Sequence, residues 1–202
     1  MKFSKKDLLF SVITGLITGF AAWKIFVFLG QPEVYGVSVI WLQILVPVFW
    51  VMGVNLGYFL GRWFGFFNQF GKFAAIGFTN AAVDFGILNL FIAKTGETAG
   101  TMYAVFKGTS FIVATFHSYV WNKYWAFDAG QSHGRREEFL KFFSIALLAL
   151  LINVGIASFV VNFVPPVTGL DNRVWANIGA VVASAAALLF SFVGFRMVVF
   201  KK

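Results

Sequence analysis

Asp84 lies about half-way along an apolar run from Phe73 to Ala93. An ionised carboxylate at that depth costs about 2.5–3.5 kcal/mol even on lenient insertion scales, so it has to face protein or a wet cavity. Asn80, one helical turn earlier, shares its face, whereas Asn89 is on a different one. A stripe of Asn80 and Asp84 is suited to hydrogen-bonding hydroxyls, which a sugar headgroup offers. Lys107, about two turns inside the outer end of the next run, leaves two readings open. It pairs with Asp84 as a structural ion pair that locks a hairpin, or it joins a binding site, and the two are compatible. It is also near enough to the outer interface to snorkel towards it.

A second group of polar residues stands at the ends of apolar runs. Lys123 and Arg196 occupy matching places, where ammonium and guanidinium groups can hold a lipid phosphate through charge-assisted hydrogen bonds. Lys72 and Lys141 form another matched pair. For each of these the competing reading is a charge that sets topology or meets the lipid surface. Asn153 and Asn177 extend a polar cleft or join helices, and His117 reads as a hydrogen-bonded residue near an interface. The small-residue string Ala180, Ala183, Ser184 and Ala187 marks close helix packing.

The elements that position these groups are helices in lipid. With 59% hydrophobic and 12% charged residues among 202, the chain has too little polar surface to coat a water-soluble globule. Each crossing takes about 20 mostly apolar residues, and six such runs nearly exhaust the length: Leu8 to Leu29, Val37 to Leu60, Phe73 to Ala93, Met102 to Trp121, Phe142 to Phe163 and Val174 to Phe195. The fold class is therefore all-α, an integral membrane bundle of six transmembrane helices. The first run, preceded by Lys2, Lys5 and Lys6, resembles a signal peptide, but it continues past Gly19 and Ala21 and is expected to remain as a helix. Pro47 sits mid-span, where neighbours must re-satisfy the backbone. Residues 63–70 are too short to span and rich in aromatics, and are expected to lie along the interface.

Sorting the basic residues puts Lys2, Lys5, Lys6, Arg62, Lys72, Lys123, Arg135, Arg136, Lys141, Arg196, Lys201 and Lys202 on one side and Lys94 and Arg173 on the other. The positive-inside rule makes the first side cytoplasmic, with both termini there, in the cytoplasmic membrane. Trp41, Trp121, Trp125, Trp175 and Tyr103 near span ends suit interfacial belts. The net charge of +8 is accounted for by these end positions and indicates lipid rather than nucleic acid. With no cysteine, no metal-ligand cluster and no glycine-rich phosphate loop, neither a metal nor a nucleotide cofactor is expected, and no enzymatic activity.

The last four runs carry an internal repeat. Aligning Lys72-Phe73 with Lys141-Phe142 sets Asp84-Phe85-Gly86 opposite Asn153-Val154-Gly155, and Ser118, Lys123 and Phe127 match Ser191, Arg196 and Phe200 at a second constant offset. A duplicated helical pair implies parallel repeats about an axis along the membrane normal.

These residues resemble the GtrA-like family of small four-span membrane proteins. The run FGKFAAIGFTNAAVDFGILNLF resembles its first helix and FHSYVWNKYWAF its second, with the basic-aromatic close Asn122-Lys123-Tyr124-Trp125-Ala126-Phe127. EFLKFFSIALLALLINVGIASF and FSFVGFRMVVF resemble the third and fourth, although Phe195-Arg196-Met197-Val198-Val199-Phe200 lacks the Asn and Trp of its counterpart. The resemblance divides the chain into two additional helices over 1–62, the linker 63–70 and a family domain over 71–202. It implies a role in cell-surface polysaccharide or glycolipid synthesis. The residues themselves give Asn80, Asp84, Lys107, Asn122, Lys123, Asn153 and Arg196 as the expected substrate-binding set.

Three functions follow as expectations. The leading one is translocation of a polyprenyl-phosphate-linked sugar between leaflets, cationic ends catching the phosphate and the Asn80–Asp84 stripe receiving the sugar. The second is an anchor for a partner glycosyltransferase, in which Asp84 is dispensable. The third is a small proton-coupled cation exporter, since one intramembrane acid in a compact bundle can serve that chemistry. The small size of the domain also points to a homo-oligomer or a complex with a partner, packed through small-residue faces.

Overall fold

The computed structural model describes residues 2–126, 135–167 and 169–194, with all side chains except those of residues 122, 123, 135–139, 141, 142, 188 and 191–194. The architecture is helical: α1 (Lys5–Phe28), α2 (Leu42–Leu60), α3 (Phe67–Thr95), α4 (Gly100–Trp121), α5 (Arg135–Phe163) and α6 (Asn172–Gly194). A π-helical turn, Asn122–Ala126, continues α4. Between α1 and α2, the strands β1 (Glu33–Val34) and β2 (Val37–Ser38) pair antiparallel and lead into a 3-10 turn, Val39–Trp41. The hairpin was not legible in the apolar pattern; its two-residue loop takes Tyr35 and Gly36 at φ 52° and 76°, the left-handed geometry that matches strand twist.

Among the described residues, four helical segments are long and apolar enough to cross a membrane: Lys5–Phe28, Val39–Leu60, Phe67–Thr95 and Phe143–Phe163. Their outer faces present large apolar side chains such as Leu16, Phe20, Phe49, Met52, Leu56, Phe78 and Leu151, all exposed, as helices bathed in lipid require. α4 carries Lys107, Thr109, Ser110, His117 and Ser118, which lowers its hydropathy. Phe67–Phe70, within the segment read as an interfacial linker, forms the first turn of α3. α3 and α5 are each 29 residues long, and α4 and α6 are 22 and 23.

The chain forms two compact units, residues 1–86 with 113–130 and residues 87–112 with 131–202. In the first, α1 and α2 pack closely because Gly15 and Gly19 remove side chains where the backbones meet. A Cβ on Gly15 would lie 2.5 Å from Pro47 Cα, and one on Gly19 would run into the Leu42 carbonyl. Thr79 of α3 joins this pair: its hydroxyl donates to the Ala75 carbonyl at 2.8 Å and lies 3.0 Å from the Thr18 hydroxyl. The Trp50 indole also donates to it, at 3.4 Å. Val54, Tyr58, Ala75, Ile76, Trp125 and Ala126 make the apolar core of this unit, with Phe3, Phe10, Trp50 and Trp121 against it.

In the second unit α5 and α6 pack through small residues, as their spacing predicts: Ala157, Ala176, Ala180, Ala183 and Ala187 are buried. Asn89 and Asn177 exchange amide hydrogen bonds at 2.7 and 2.8 Å. Such interhelical amides are worth roughly 0.6–1.7 kcal/mol in membrane proteins. Tyr103 donates to the Ala176 carbonyl at 2.8 Å. The aromatic-belt expectation needs correction here. Tyr103, Trp125 and Trp175 are buried, each with a ring hydroxyl or indole N–H donated to protein, and of the expected belt Trp41 is exposed.

Candidate functional site

The polar stripe expected on the third run is present. Asn80 and Asp84 stand one turn apart on α3, Asp84 only 4% exposed and Asn80 half-buried. The Asn80 amide oxygen is buried and receives no hydrogen bond, which in an apolar setting is an unspent acceptor. Lys107 belongs to the second unit and is fully buried, so its ammonium does not snorkel to an interface. Asn153, also fully buried, donates to the Ser184 hydroxyl at 3.2 Å and keeps its own amide oxygen unpartnered. Asn153 thus joins α5 to α6 and still offers one acceptor; Asn177 is spent on Asn89. His117 accepts the Trp121 indole N–H at 2.7 Å. Arg196 and the side chains of Asn122 and Lys123 lie outside the described residues.

A polar cluster around Asp7 was not anticipated from the sequence. Asp7, in the first turn of α1, is 3% exposed. Its Oδ2 accepts from the Ser4 backbone N–H at 2.9 Å, the Ser4 hydroxyl at 2.7 Å and the Tyr58 hydroxyl at 3.0 Å. Its Oδ1 accepts from the Trp125 indole at 3.0 Å and lies 2.8 Å from Lys72 Nζ. Lys72 Nζ also sits 5.3 Å from the Tyr58 ring centroid, within cation–π range. α1, α2, α3 and the turn after α4 therefore converge on one carboxylate. The local cause is a capping box, Ser4 to Asp7, which holds the carboxylate at the positive end of the helix dipole. The sequence carries the signal as S-x-x-D before an apolar run, although Asp7 stands among Lys2, Lys5 and Lys6, where an acid is ordinarily solvated.

Around this carboxylate opens a polar cleft of about 340 Å³, lined among others by Lys2, Lys6, Lys72, Asn68 and Gln69. The family model for the GtrA/DPMS transmembrane domain matches residues 72–201, well over half of the chain. The chain belongs to this family. No curated protein and no solved structure matches it. The GtrA/DPMS match begins at Lys72, the residue that α1 holds through Asp7. Asn80, Asp84, Lys107 and Asn153 fall within the GtrA/DPMS domain, whereas α1 and α2 precede it.

Outside the spans, Asp171 caps α6. Its carboxylate accepts the Arg173 backbone N–H at 2.7 Å and pairs with the Arg173 guanidinium at 3.1 Å. These hydrogen bonds from Arg173 hold its pKa below the usual carboxylate range.

Proposed function

We propose that this GtrA/DPMS protein translocates a polyprenyl-phosphate-linked sugar across the cytoplasmic membrane, with both termini on the cytoplasmic side. The family ties the chain to the handling of such lipids. The observation that carries the finer reading is Asp84, a buried carboxylate midway along an apolar helix of the family domain, with the unsatisfied Asn80 oxygen one turn away. A flipped headgroup brings hydroxyls and a phosphate into hydrocarbon, where each unsatisfied polar group costs several kcal/mol. Within the first unit the Asn80 oxygen, beside Asp84, is an acceptor for a sugar hydroxyl, and within the second unit the Asn153 oxygen is another. Lys107, Asn122, Lys123 and Arg196 complete the set as donors to phosphate and sugar. Translocation drawn by consumption on the far side needs no nucleotide or metal.

The test is a substitution series at Asp84 in cells that depend on this chain for a surface glycan. Asp84→Asn and Asp84→Leu are expected to abolish the glycan at normal protein abundance, whereas wild-type glycan in both variants removes Asp84 from the pathway.

A second reading, an anchor for a glycosyltransferase, is favoured by one feature: Trp63, Phe64 and Phe66 are each more than 60% exposed in the turn before α3, beside Arg62. In that case the Asp84 variants keep their glycan and a triple alanine substitution in the turn loses it.

A further inference from the structure

α2 buries Val46, Pro47, Val54, Gly57 and Tyr58 and leaves a different flank outside. On that flank, from the turn that opens the helix, Trp41, Val48 and Asn55 recur every seventh residue with Ile44 and Val51 between them. This is the a and d spacing by which two helices form a left-handed pair. Val51 is half-buried and the other four are exposed. Asn55 is the polar member of the row. Side chains on a helix lean towards its N-terminus, and the Asn55 amide accordingly donates to the Val51 carbonyl at 2.8 Å. That places the amide at the level of Val51, near the middle of the Val39–Leu60 span, rather than turning it to the nearer end. Its oxygen and second N–H have no hydrogen bond among the described residues. In hydrocarbon such groups cost several kcal/mol each unless another chain satisfies them.

We propose that this flank of α2 is the interface between two copies of the chain, paired in parallel about a twofold axis along the membrane normal, with Asn55 bonded to its twin. A carboxamide carries both a donor and an acceptor, so it complements itself across a twofold axis, which brings each a position against the same position of its mate. Two copies inserted with the same orientation present α2 in parallel, which is the arrangement this requires. The protein already uses the same chemistry within the chain, where Asn89 and Asn177 exchange amide hydrogen bonds between helices. The small residues of α6, the other surface suited to close approach, are spent internally: Ala180, Ala183 and Ala187 are buried. Contact between copies is thereby assigned to a helix that precedes the GtrA/DPMS match, which gives the additional N-terminal helices a role of their own.

The full chain in liposomes provides the test, by energy transfer between donor- and acceptor-labelled copies as protein density is varied. Wild type is expected to dimerise, and Asn55→Leu to raise the dissociation constant about tenfold. Asn55→Gln, which keeps the amide, should stay within about threefold of wild type, and the thermal midpoint should hold in both because the residue is exposed. The chain has no cysteine, so single introduced thiols report the contact directly. Under mild oxidation Ile44→Cys and Val48→Cys should form disulfide-linked dimers, whereas Phe49→Cys and Leu56→Cys, exposed but on another side of α2, should not. Wild type that stays monomeric at every density, its flank left to lipid or to a different protein, overturns the proposal. Unchanged affinity in Asn55→Leu, or equal cross-linking on both sides of the helix, overturns it as well.

Discussion

Asp7 Oδ1 and Lys72 Nζ meet at 2.8 Å, with both side chains largely withdrawn from solvent. The contact joins the first turn of α1, outside the family match, to the residue at which that match begins. The additional N-terminal helices are therefore fastened to the GtrA/DPMS domain by a charge pair at one end and by Thr18, Trp50 and Thr79 further along.

Removing one member of a buried pair leaves the other uncompensated, at a cost of about 3–5 kcal/mol. Asp7→Ala is expected to lower the unfolding free energy of the detergent-solubilised protein by that order. Asp7→Ala/Lys72→Met should recover a substantial part of the loss, because no charge then remains buried. A loss in the double variant equal to the sum of the Asp7→Ala and Lys72→Met losses would show that the pair is not coupled.

The fastening explains why much of the candidate site was hidden in the sequence. Asp84 was legible because an acid in the middle of an apolar run has no cheap alternative. Asp7 was not, because an acid in a lysine-rich flank is ordinarily solvated, and its burial depends on Tyr58 and Trp125 arriving from distant positions. Trp125 was misread for the same reason: indoles near span ends serve interfacial belts unless a carboxylate waits for the N–H. The helices themselves followed from apolar run length, but their ends extend beyond the runs, since α1 begins at its Ser4 cap and α3 takes in Phe67–Phe70.

The contact between α1 and α2 depends on the absence of two side chains. Gly15→Leu and Gly19→Leu place a Cβ against Pro47 and the Leu42 carbonyl, and are expected to give aggregated protein on size exclusion. Gly77→Ala, where no atom lies within 4 Å, is the control and should elute as wild type.

The reciprocal Asn89–Asn177 amides act as one unit, so their substitutions should not add. Asn89→Ala and Asn177→Ala are each expected to destabilise by roughly 0.6–1.7 kcal/mol. The double variant should cost little more than either. Simple additivity in a thermal or denaturant series would contradict the pairing.

Asp171 has a depressed pKa in the folded chain, caused first by the Arg173 side chain. A lowered folded-state value stabilises α6 at pH above the ordinary carboxylate range, and that contribution is lost as pH falls through the folded value. Carboxyl-carbon NMR of labelled Asp should show this one titrating below free aspartate, and Arg173→Gln should move it upward. An unmoved titration would remove the guanidinium as the cause.

The central claim is translocation through a polar path that includes Asp84. Its most direct test is the exchange of a fluorescent short-chain polyprenyl-phosphate sugar in proteoliposomes, read as the fraction quenched by a membrane-impermeant reductant. Wild type should carry quenching from the outer-leaflet half towards completion, and Asp84→Asn at equal reconstitution should hold it at the level of empty vesicles. Equal, rapid exchange by wild type and Asp84→Asn, or no exchange by either, would contradict the account.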